Sequence, residues 1–230
     1  MLKDQAGGVV GSRHPVLQSQ RIYDQLRRDI ASRRLQPGAV LNEITLSEQL
    51  VASRTPLREA LTRLRQEGFL EKHGRQLRVK TFTLEQVRHL YQLREALEKM
   101  AVGLCVARAN AEDLDEIARQ LDGYERFDID RDYETFNEYA NLFHRSLADI
   151  CGNPMIRDQL HAIHDKVLII NARFWGKPRS IEEAYDGHNF ILQAIRKRDA
   201  TLAEAAIGAH VREVIDLYLD DGAGEADAER

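Results

Sequence analysis

Three histidines occupy apolar stripes of three separate predicted helices: His144, His188 and His210. Imidazoles that point inward from several helices of a bundle can bind a metal ion. Three neutral imidazoles leave positions open on Zn²⁺, Ni²⁺ or a similar divalent ion for water or a carboxylate. Three unrelated core histidines, each hydrogen-bonded, would give the same pattern, which by itself does not choose between the two interpretations.

A single arginine interrupts another apolar stripe. Val87 and Leu90 precede Arg94 by 7 and 4 residues, and Leu97 and Ala101 follow it by 3 and 7. A buried guanidinium needs an acidic partner. That partner is either an internal Asp or Glu, or the carboxylate of a small effector bound in the helical region.

Catalysis by a metal in this region has little support in the sequence. A metalloenzyme needs a general base beside the metal. There is no H-E-x-x-H motif, and we expect no inward glutamate near His144. His161 and His164 fall off the apolar stripe and are predicted to lie at the surface or at a pocket edge.

Charge divides the chain into two unlike parts. Residues 1–80 carry 15 Lys and Arg against 8 Asp and Glu, a net charge of +7, and residues 81–230 carry a net charge of -11. A basic module attracts polyanions, whereas an acidic body repels them. The charge distribution therefore predicts two domains with different partners, of which nucleic acid is one.

The basic part has the element order of a winged helix-turn-helix. Apolar spacing predicts a helix from Leu17 to Arg34, and a capping box at Thr45–Glu48 predicts the start of a second helix. Pro56 in a first turn and Gly68 as a C-cap delimit a third. Two extended runs follow, residues 69–72 and 77–81, and the H-G-R-Q sequence between them predicts a hairpin.

The third helix is the element expected to read DNA. In such modules the N-terminal end of this helix enters the major groove. Arg54 and Arg58 share one helix face there, and an arginine fork matches the O6/N7 edge of guanine. Ser53, Thr55 and the helix amides can hold phosphate. The hairpin tip at His73 and Gly74 is expected to reach an adjacent groove.

The remainder of the sequence predicts helices only, so we expect a mainly α protein in which the winged module precedes an all-helical antiparallel bundle. A capping box at Thr83 precedes a long helix, and another at Ser180 precedes a helix near 181–198. The other predicted helices lie near 111–125, 131–151, 154–174 and 200–219. The expected organisation is a flexible arm (1–15), a winged helix-turn-helix domain (16–81), a helical effector-binding and dimerisation domain (82–220) and a disordered tail (221–230).

Composition limits the surroundings in which the protein works. Apolar runs such as Val167–Ile170 are far shorter than the ~18 residues of a membrane span. The N-terminus has no long apolar region, which argues against a secretory signal. Two cysteines, Cys105 and Cys151, are too few for a disulfide framework. We therefore expect a cytoplasmic protein with free thiols and no membrane partner.

Residues 17–80 contain P-G before an L-x-E segment, then S-R-T-P-L-R-E-A-L and R-L-x-x-E-G. In these features the segment resembles the DNA-binding domain of the GntR family of bacterial transcription regulators. The resemblance implies that Arg54, Thr55, Arg58, His73 and Gly74 contact DNA. The family usually places Gly-Val before the S-R-T-P segment, where this chain has Val51-Ala52.

Residues 84–219 contain the segments YQLREALEKMAVGLCVA, FHRSLADICGNPMI and GHNFILQAIRKRDATLAEAAIGAH. Through these segments this part of the chain resembles the FCD ligand-binding domain of the FadR-like branch of that family. It implies an all-helical domain that often holds a divalent metal through three histidines, here His144, His188 and His210, and an Asp or Asn. The usual fourth position is Ala140, which cannot bind a metal. The adjacent Asn141, three residues before His144, could replace it only through a local rotation of the helix; otherwise the site has three histidines alone, or the effector supplies the acid group.

Taken together, these patterns predict a ligand-responsive transcription regulator. We expect a homodimer that binds a pseudo-palindromic duplex, acts as a repressor and responds to a small organic acid, with a divalent metal (zinc or nickel) as the cofactor. The alternatives are a helical metalloenzyme that uses the three histidines and a DNA-binding protein without a ligand.

Overall fold

The computed structural model describes the backbone of residues 15–173 and 181–228. The described chain is mainly helical with one small sheet, which confirms the predicted fold class. Its elements are α1 (Pro15–Ala31), β1 (Val40–Leu41), α2 (Glu43–Gln49), α3 (Arg54–Gln66), β2 (Leu70–His73), β3 (Gln76–Val79), α4 (Leu84–Arg108), α5 (Ala111–Asp122), a 3-10 turn (Gly123–Arg126), α6 (Ile129–Ile150), α7 (Pro154–Arg173), α8 (Ile181–Arg196) and α9 (Ala200–Ala228). We call residues 15–81 the head and residues 84–228 the body.

Three helices of the head share an apolar core. Ile22, Leu26 and Ile30 of α1 are buried, as their spacing of four residues predicts. They pack with the buried stripe of α3, which includes Leu57 and Leu64. The helix α1 ends three residues before the predicted Arg34, because Arg33 takes a left-handed conformation (φ 53°) that stops the helical hydrogen-bond pattern.

The start of α2 differs from the prediction. The capping box expected at Thr45 is wrong, since the helix begins at Glu43 with Asn42 as its N-cap. The Asn42 side chain accepts hydrogen bonds from the backbone N–H groups of Ile44 (2.9 Å) and Thr45 (3.3 Å). Asparagine is among the strongest N-cap residues, so its cap precedes and replaces the one that the threonine would supply.

The turn between α2 and α3 contains a strained residue. Val51 has φ 48°, in the left-handed region that glycine enters freely and β-branched residues enter at a cost. Its side chain is 83% exposed and therefore gains little packing in return. Val51 stands where the family usually has glycine, so this chain carries backbone strain at the turn.

We predict that Val51→Gly stabilises the protein by about 1 kcal/mol, because relief of the left-handed strain outweighs the larger unfolded-state entropy of glycine. Urea unfolding followed by far-UV circular dichroism measures the change. Val51→Ala is the matched control, since it keeps a Cβ and most of the strain. A destabilised Val51→Gly protein would contradict the assignment of strain to this turn.

The wing is a three-stranded antiparallel sheet in the order β1-β3-β2. Leu70 pairs with Val79 and His73 with Gln76, which leaves Gly74 and Arg75 as a two-residue turn. Gly74 has φ 61°, a conformation that favours glycine in a tight hairpin. The bounds of β2 and β3 differ by one or two residues from those predicted. The short β1, which pairs with β3, was not predicted because two residues carry no periodicity.

The body is a bundle in which α4 packs mainly on α9, α6 on α7 and α8 on α9. The predicted capping box at Thr83 is present, with both reciprocal hydrogen bonds to Gln86. The capping box predicted at Ser180 lies outside the described residues. A disordered tail was predicted from residue 221, whereas α9 continues to Ala228.

Head and body are joined by apolar contacts. The apolar cluster of the head continues into buried side chains of the body: Val87, Tyr91, Ile163, Val167, Ile169, Ile170, Val211 and Ile215. The predicted domain boundary at residue 81 separates two segments of the sequence, but one continuous apolar cluster includes side chains from both. Among the described residues, no helix combines the length and the apolar character needed to cross a bilayer.

Candidate functional site

Three helices of the body bring His144 (α6), His188 (α8) and His210 (α9) together. The Nε2 atom of His188 lies 3.2 Å from Nε2 of His144 and 3.1 Å from Nε2 of His210. All three side chains are buried. We call this group the histidine site.

Neighbouring side chains fix the orientation of two of these rings. Tyr124 is hydrogen-bonded through its hydroxyl to Nδ1 of His188 (2.7 Å), and Phe143 stacks on the same ring at 4.2 Å between centroids. Nδ1 of His144 lies 3.0 Å from Oε2 of Glu98. Partners that hold Nδ1 direct Nε2 toward the centre of the group, which is how outer groups orient metal-binding histidines.

A second buried group adjoins the first. Glu98 on α4 contacts Arg94 (Nε to Oε1, 2.8 Å), His144 and His164 (Nε2 to Oε1, 2.9 Å). All four side chains are at most 5% exposed. We call Arg94, Glu98, His144 and His164 the glutamate network.

Burial and charge act in opposite directions on this network. Burial raises the pKa of the Glu98 carboxyl, but Arg94 and His144 hold that pKa well below its usual range. Burial lowers the pKa of His164 to about 4, against the opposing effect of Glu98. The network therefore holds an ionised carboxylate beside a neutral His164.

Arg94 is part of the glutamate network and also contacts the histidine site. Its Nη2 atom lies 3.1 Å from Nε2 of His144, so the guanidinium reaches the edge of the histidine site. Of the two partners predicted for Arg94, the internal acid is the one observed, namely Glu98. The role of Arg94 toward an effector stays a prediction.

Two residues of the glutamate network were missed or misplaced in the sequence. The expectation of no inward glutamate near His144 is wrong, because Glu98 contacts this ring. The surface or pocket-edge position predicted for His164 is also wrong, because its side chain is fully buried. The signal for Glu98 was its position four residues after Arg94, where an Arg–Glu pair meets on one helix face.

The geometry of the histidine site fits a metal ion. Zinc binds imidazole nitrogens at about 2.0–2.1 Å, which places two tetrahedral nitrogen ligands about 3.3 Å apart. The observed Nε2 separations of 3.1 and 3.2 Å are close to this value. Glu98 meets His144 at the opposite ring nitrogen, and the Asn141 amide donates to the His164 carbonyl oxygen (3.3 Å). A ligand role for Asn141 stays a prediction.

We predict that the metal-free protein loses stability as the pH falls from about 6.5 to about 4. Over this window the unfolded chain protonates His164, whose ordinary pKa is 6.5, while the folded protein keeps it neutral down to about 4. Acid then favours the unfolded state, with a slope of at most about 1.4 kcal/mol per pH unit for one group.

Urea unfolding at a series of pH values in chelator-treated protein measures this slope. His164→Gln should reduce it, whereas His161→Gln, on the same helix but partly exposed, should retain it. Equal slopes in wild type and His164→Gln would contradict the assignment to His164.

The predicted DNA-contacting residues lie on exposed parts of the head. Ser53 is the N-cap of α3 without a side-chain capping bond, and Arg54 and Thr55 open the helix. Within the described chain, Arg54 makes no hydrogen bond or ion pair, whereas Arg58 pairs with Glu43 of α2 at 2.8 Å. The wing-tip residues predicted to reach DNA are also exposed: His73 and Gly74.

The exposed N-terminus of α3, the wing and the helical body define a winged helix-turn-helix transcription regulator with an appended helical domain. Residues 18–76 match the family described as bacterial regulatory proteins, gntR family, and residues 89–213 match the FCD domain. The chain therefore belongs to the gntR family of regulators that carry an FCD domain. It is a transcription regulator and not an enzyme, as predicted.

Relatives of known sequence support this assignment over most of the chain. The Nta operon transcriptional regulator of Aminobacter aminovorans is 31% identical, with 80% of this chain and 86% of the relative aligned. The transcriptional repressor RspR of Escherichia coli is 27% identical, with 85% and 86% aligned. The uncharacterised regulator YdhC of Bacillus subtilis is 26% identical, with 83% and 86% aligned.

Solved structures share the fold. Escherichia coli McbR/YncC superposes with a TM-score of 0.73 at 23% identity, covering 88% of this chain and 98% of that one. A putative GntR regulator from Rhodococcus sp. RHA1 gives a TM-score of 0.75 at 20% identity, covering 89% and 98%.

Proposed function

We propose that this protein is a homodimeric repressor that binds a pseudo-palindromic operator and responds to a small organic acid through a divalent metal in the histidine site. The observation that carries the proposal is the convergence of three buried imidazole Nε2 atoms beside Arg94. Named repressors among its relatives include RspR and a probable D-xylose utilization operon repressor of Paenarthrobacter nicotinovorans.

The charge of the loaded site favours an anionic effector. Three neutral imidazoles leave the charge of a divalent ion uncompensated, while Glu98 balances the charge of Arg94, whose Nη2 still reaches the edge of the site. Coordination positions left open by three protein ligands accept a carboxylate oxygen. A small carboxylate that binds the ion and Arg94 together is the effector chemistry that these groups support.

An uncharged face on α4 supports the dimer. Leu93 is 49% and Met100 57% exposed, and Ala96 and Ala107 continue the same exposed stripe. A second copy that covers this stripe would remove apolar surface from water. Two heads related by a two-fold axis would then meet the two halves of a palindromic duplex.

Metal analysis of the purified protein tests the cofactor. We expect about one zinc or nickel ion per chain after dialysis against the metal, and a large loss of that metal in His188→Ala. His161→Ala is the control, because His161 pairs with Asp149 away from the histidine site. Equal metal content in wild type and His188→Ala would remove the metal from the proposal.

Operator binding is tested separately with duplexes selected from a randomised pool. We expect a two-fold symmetric consensus, a complex that contains two chains, and an affinity that changes when a panel of carboxylates is added to the metal-loaded protein. An asymmetric consensus bound by one chain would contradict the dimer, and the absence of any selected duplex would contradict DNA recognition itself.

A further inference from the structure

Two helices of the body share a local pattern in which a buried histidine is followed by a charged residue. The pairs are His144-Arg145 on α6 and His164-Asp165 on α7. Successive residues of an α-helix point about 100° apart. Each helix therefore places its histidine in the buried groups and its next side chain in a different direction, toward the cleft between body and head.

The two charged side chains meet in that cleft, where a residue of the head joins them. Oδ1 of Asp165 lies 2.7 Å from Nη2 of Arg27 on α1 and 3.3 Å from Nη1 of Arg145. The cleft has a volume of about 530 Å³. The Asp165 side chain is 17% exposed, so solvent screens this contact less than a fully exposed pair.

On the head side, Arg27 is tied to the DNA-reading helix. Its guanidinium lies 5.6 Å from the centre of the Phe69 ring, just after the end of α3. One turn earlier, Tyr23 donates a hydrogen bond to Glu67 at the C-cap of α3 and lies beneath the Arg63 guanidinium at 3.7 Å. A displacement of Arg27 therefore moves α1 and α3 together.

On the body side, Asp165 is tied to the glutamate network. The preceding residue, His164, contacts Glu98, and its carbonyl oxygen accepts a hydrogen bond from Asn141, three residues before His144. A change at Glu98 or His144 acts on the backbone of α7 at residue 164. The next side chain, Asp165, is the one that holds the head.

We infer that Asp165 is a positioning residue that couples the histidine site and the glutamate network to the orientation of the head. The inference rests on the proposed function in one respect, namely that a ligand at the histidine site regulates DNA binding. Apolar contacts hold head and body together as well, so loss of the Asp165 charge releases the orientation without separating the two parts.

A distance measurement in the full chain tests the coupling. Nitroxide labels on Arg75→Cys at the wing and Thr201→Cys at the start of α9 report the separation of head and body by double electron–electron resonance. Both sites are exposed, and the native Cys105 and Cys151 are buried and stay unlabelled. Zn²⁺ alone is the probe.

Asp165→Asn is the test variant, because the amide keeps the shape and removes the charge. Asp158→Asn is the matched control on the same helix, since Asp158 is exposed and pairs only with the adjacent Arg157 within the described chain. We expect Zn²⁺ to shift the distance distribution in wild type and in Asp158→Asn, and to leave Asp165→Asn unshifted. An equal shift in Asp165→Asn, or no shift in wild type that binds Zn²⁺, overturns the inference.

A second comparison needs no metal and separates this inference from the proposed function. His164→Gln, which alters the contact with Glu98, is made in the wild-type background and again in combination with Asp165→Asn. If wild type binds no Zn²⁺, the metal part of the proposed function fails while this comparison still tests the coupling. If His164→Gln changes the distance distribution in the wild-type background but not in the Asp165→Asn background, the coupling is supported. The same change in both backgrounds, or no change in either, overturns it.

The coupling also predicts a functional readout that a merely structural role would not move. Allosteric coupling typically changes affinity by about 5–150-fold. The ratio of the duplex affinity with Zn²⁺ to that without Zn²⁺ should be about one in Asp165→Asn. In Asp158→Asn the ratio should keep its wild-type value. A wild-type ratio in Asp165→Asn contradicts the inference.

Discussion

Glu98→Ala is expected to lower the free energy of unfolding by about 3–5 kcal/mol, because it leaves a buried arginine without its anion. Arg94 is 3% exposed and contacts Glu98 at 2.8 Å, so water cannot replace the lost carboxylate. His144 and His164 lose the same partner. Urea unfolding followed by far-UV circular dichroism at neutral pH in metal-free protein measures the change.

Glu95→Ala is the matched control on the same helix. Glu95 pairs with Lys99 and Arg212, both of which are substantially exposed, so its loss should cost less than about 1 kcal/mol. Replacing Arg94 and Glu98 together by apolar residues of similar size should cost much less than Glu98→Ala, because no charge is then left buried. Equal losses in Glu95→Ala and Glu98→Ala would show that the buried network is not the cause.

Arg54→Ala is expected to weaken binding of the selected duplex by about 1–3 kcal/mol, with relaxed preference at one base position. Arg54 opens α3, is exposed and makes no ion pair within the described residues, so its guanidinium is available to a base edge. Arg58 must first exchange its contact with Glu43. Titrations of selected and scrambled duplexes at fixed salt measure both the loss of affinity and the loss of base preference.

Arg65→Ala provides the comparison at the opposite end of α3. Arg65 is exposed in the last turn of the helix, so its loss should weaken selected and scrambled duplexes alike through the electrostatic term. Arg54→Ala should instead reduce the ratio of the two affinities while the far-UV spectrum stays helical. An unchanged ratio in Arg54→Ala would contradict the assignment of this helix end to the major groove.

The sequence predicted the elements of the head well because local signals agree there. The spacing of Leu57, Leu61 and Leu64 matches their burial, and Gly68 has the left-handed φ of 85° expected of a C-cap. The errors are at the ends of elements, where side-chain hydrogen bonds determine the residue at which a helix begins. Asn42 caps α2 ahead of Thr45, and no periodicity marks that choice.

The buried polar groups could be predicted only in part. The inward placement of His144, His188 and His210 follows from helical stripes, because each helix exposes its opposite face. His164 carries the same signal, since Leu160 precedes it by four residues and Val167 and Leu168 follow it by three and four, and all of these are buried. The continuous apolar run at residues 167–170 obscured that spacing, because it gives this part of α7 no polar face.

Glu98 shows a related limit. A charged residue is taken as exposed unless a partner is known, and three of the groups around Glu98 come from α4, α6 and α7. Only the tertiary arrangement brings His144 and His164 to it, whereas Arg94 could be assigned from spacing along α4. Contacts between distant segments therefore remained outside what local patterns predict.

The apolar cluster that runs from the head into α4, α7 and α9 affects how the chain can be handled in fragments. A head truncated near residue 81 would leave the faces now covered by Tyr91 and Val167 in water, and such surfaces drive self-association. Head and body should accordingly melt in one cooperative transition, and protease nicking between them should be slow in the native state. Head and body together are thus the unit in which DNA recognition and the proposed effector response should be studied.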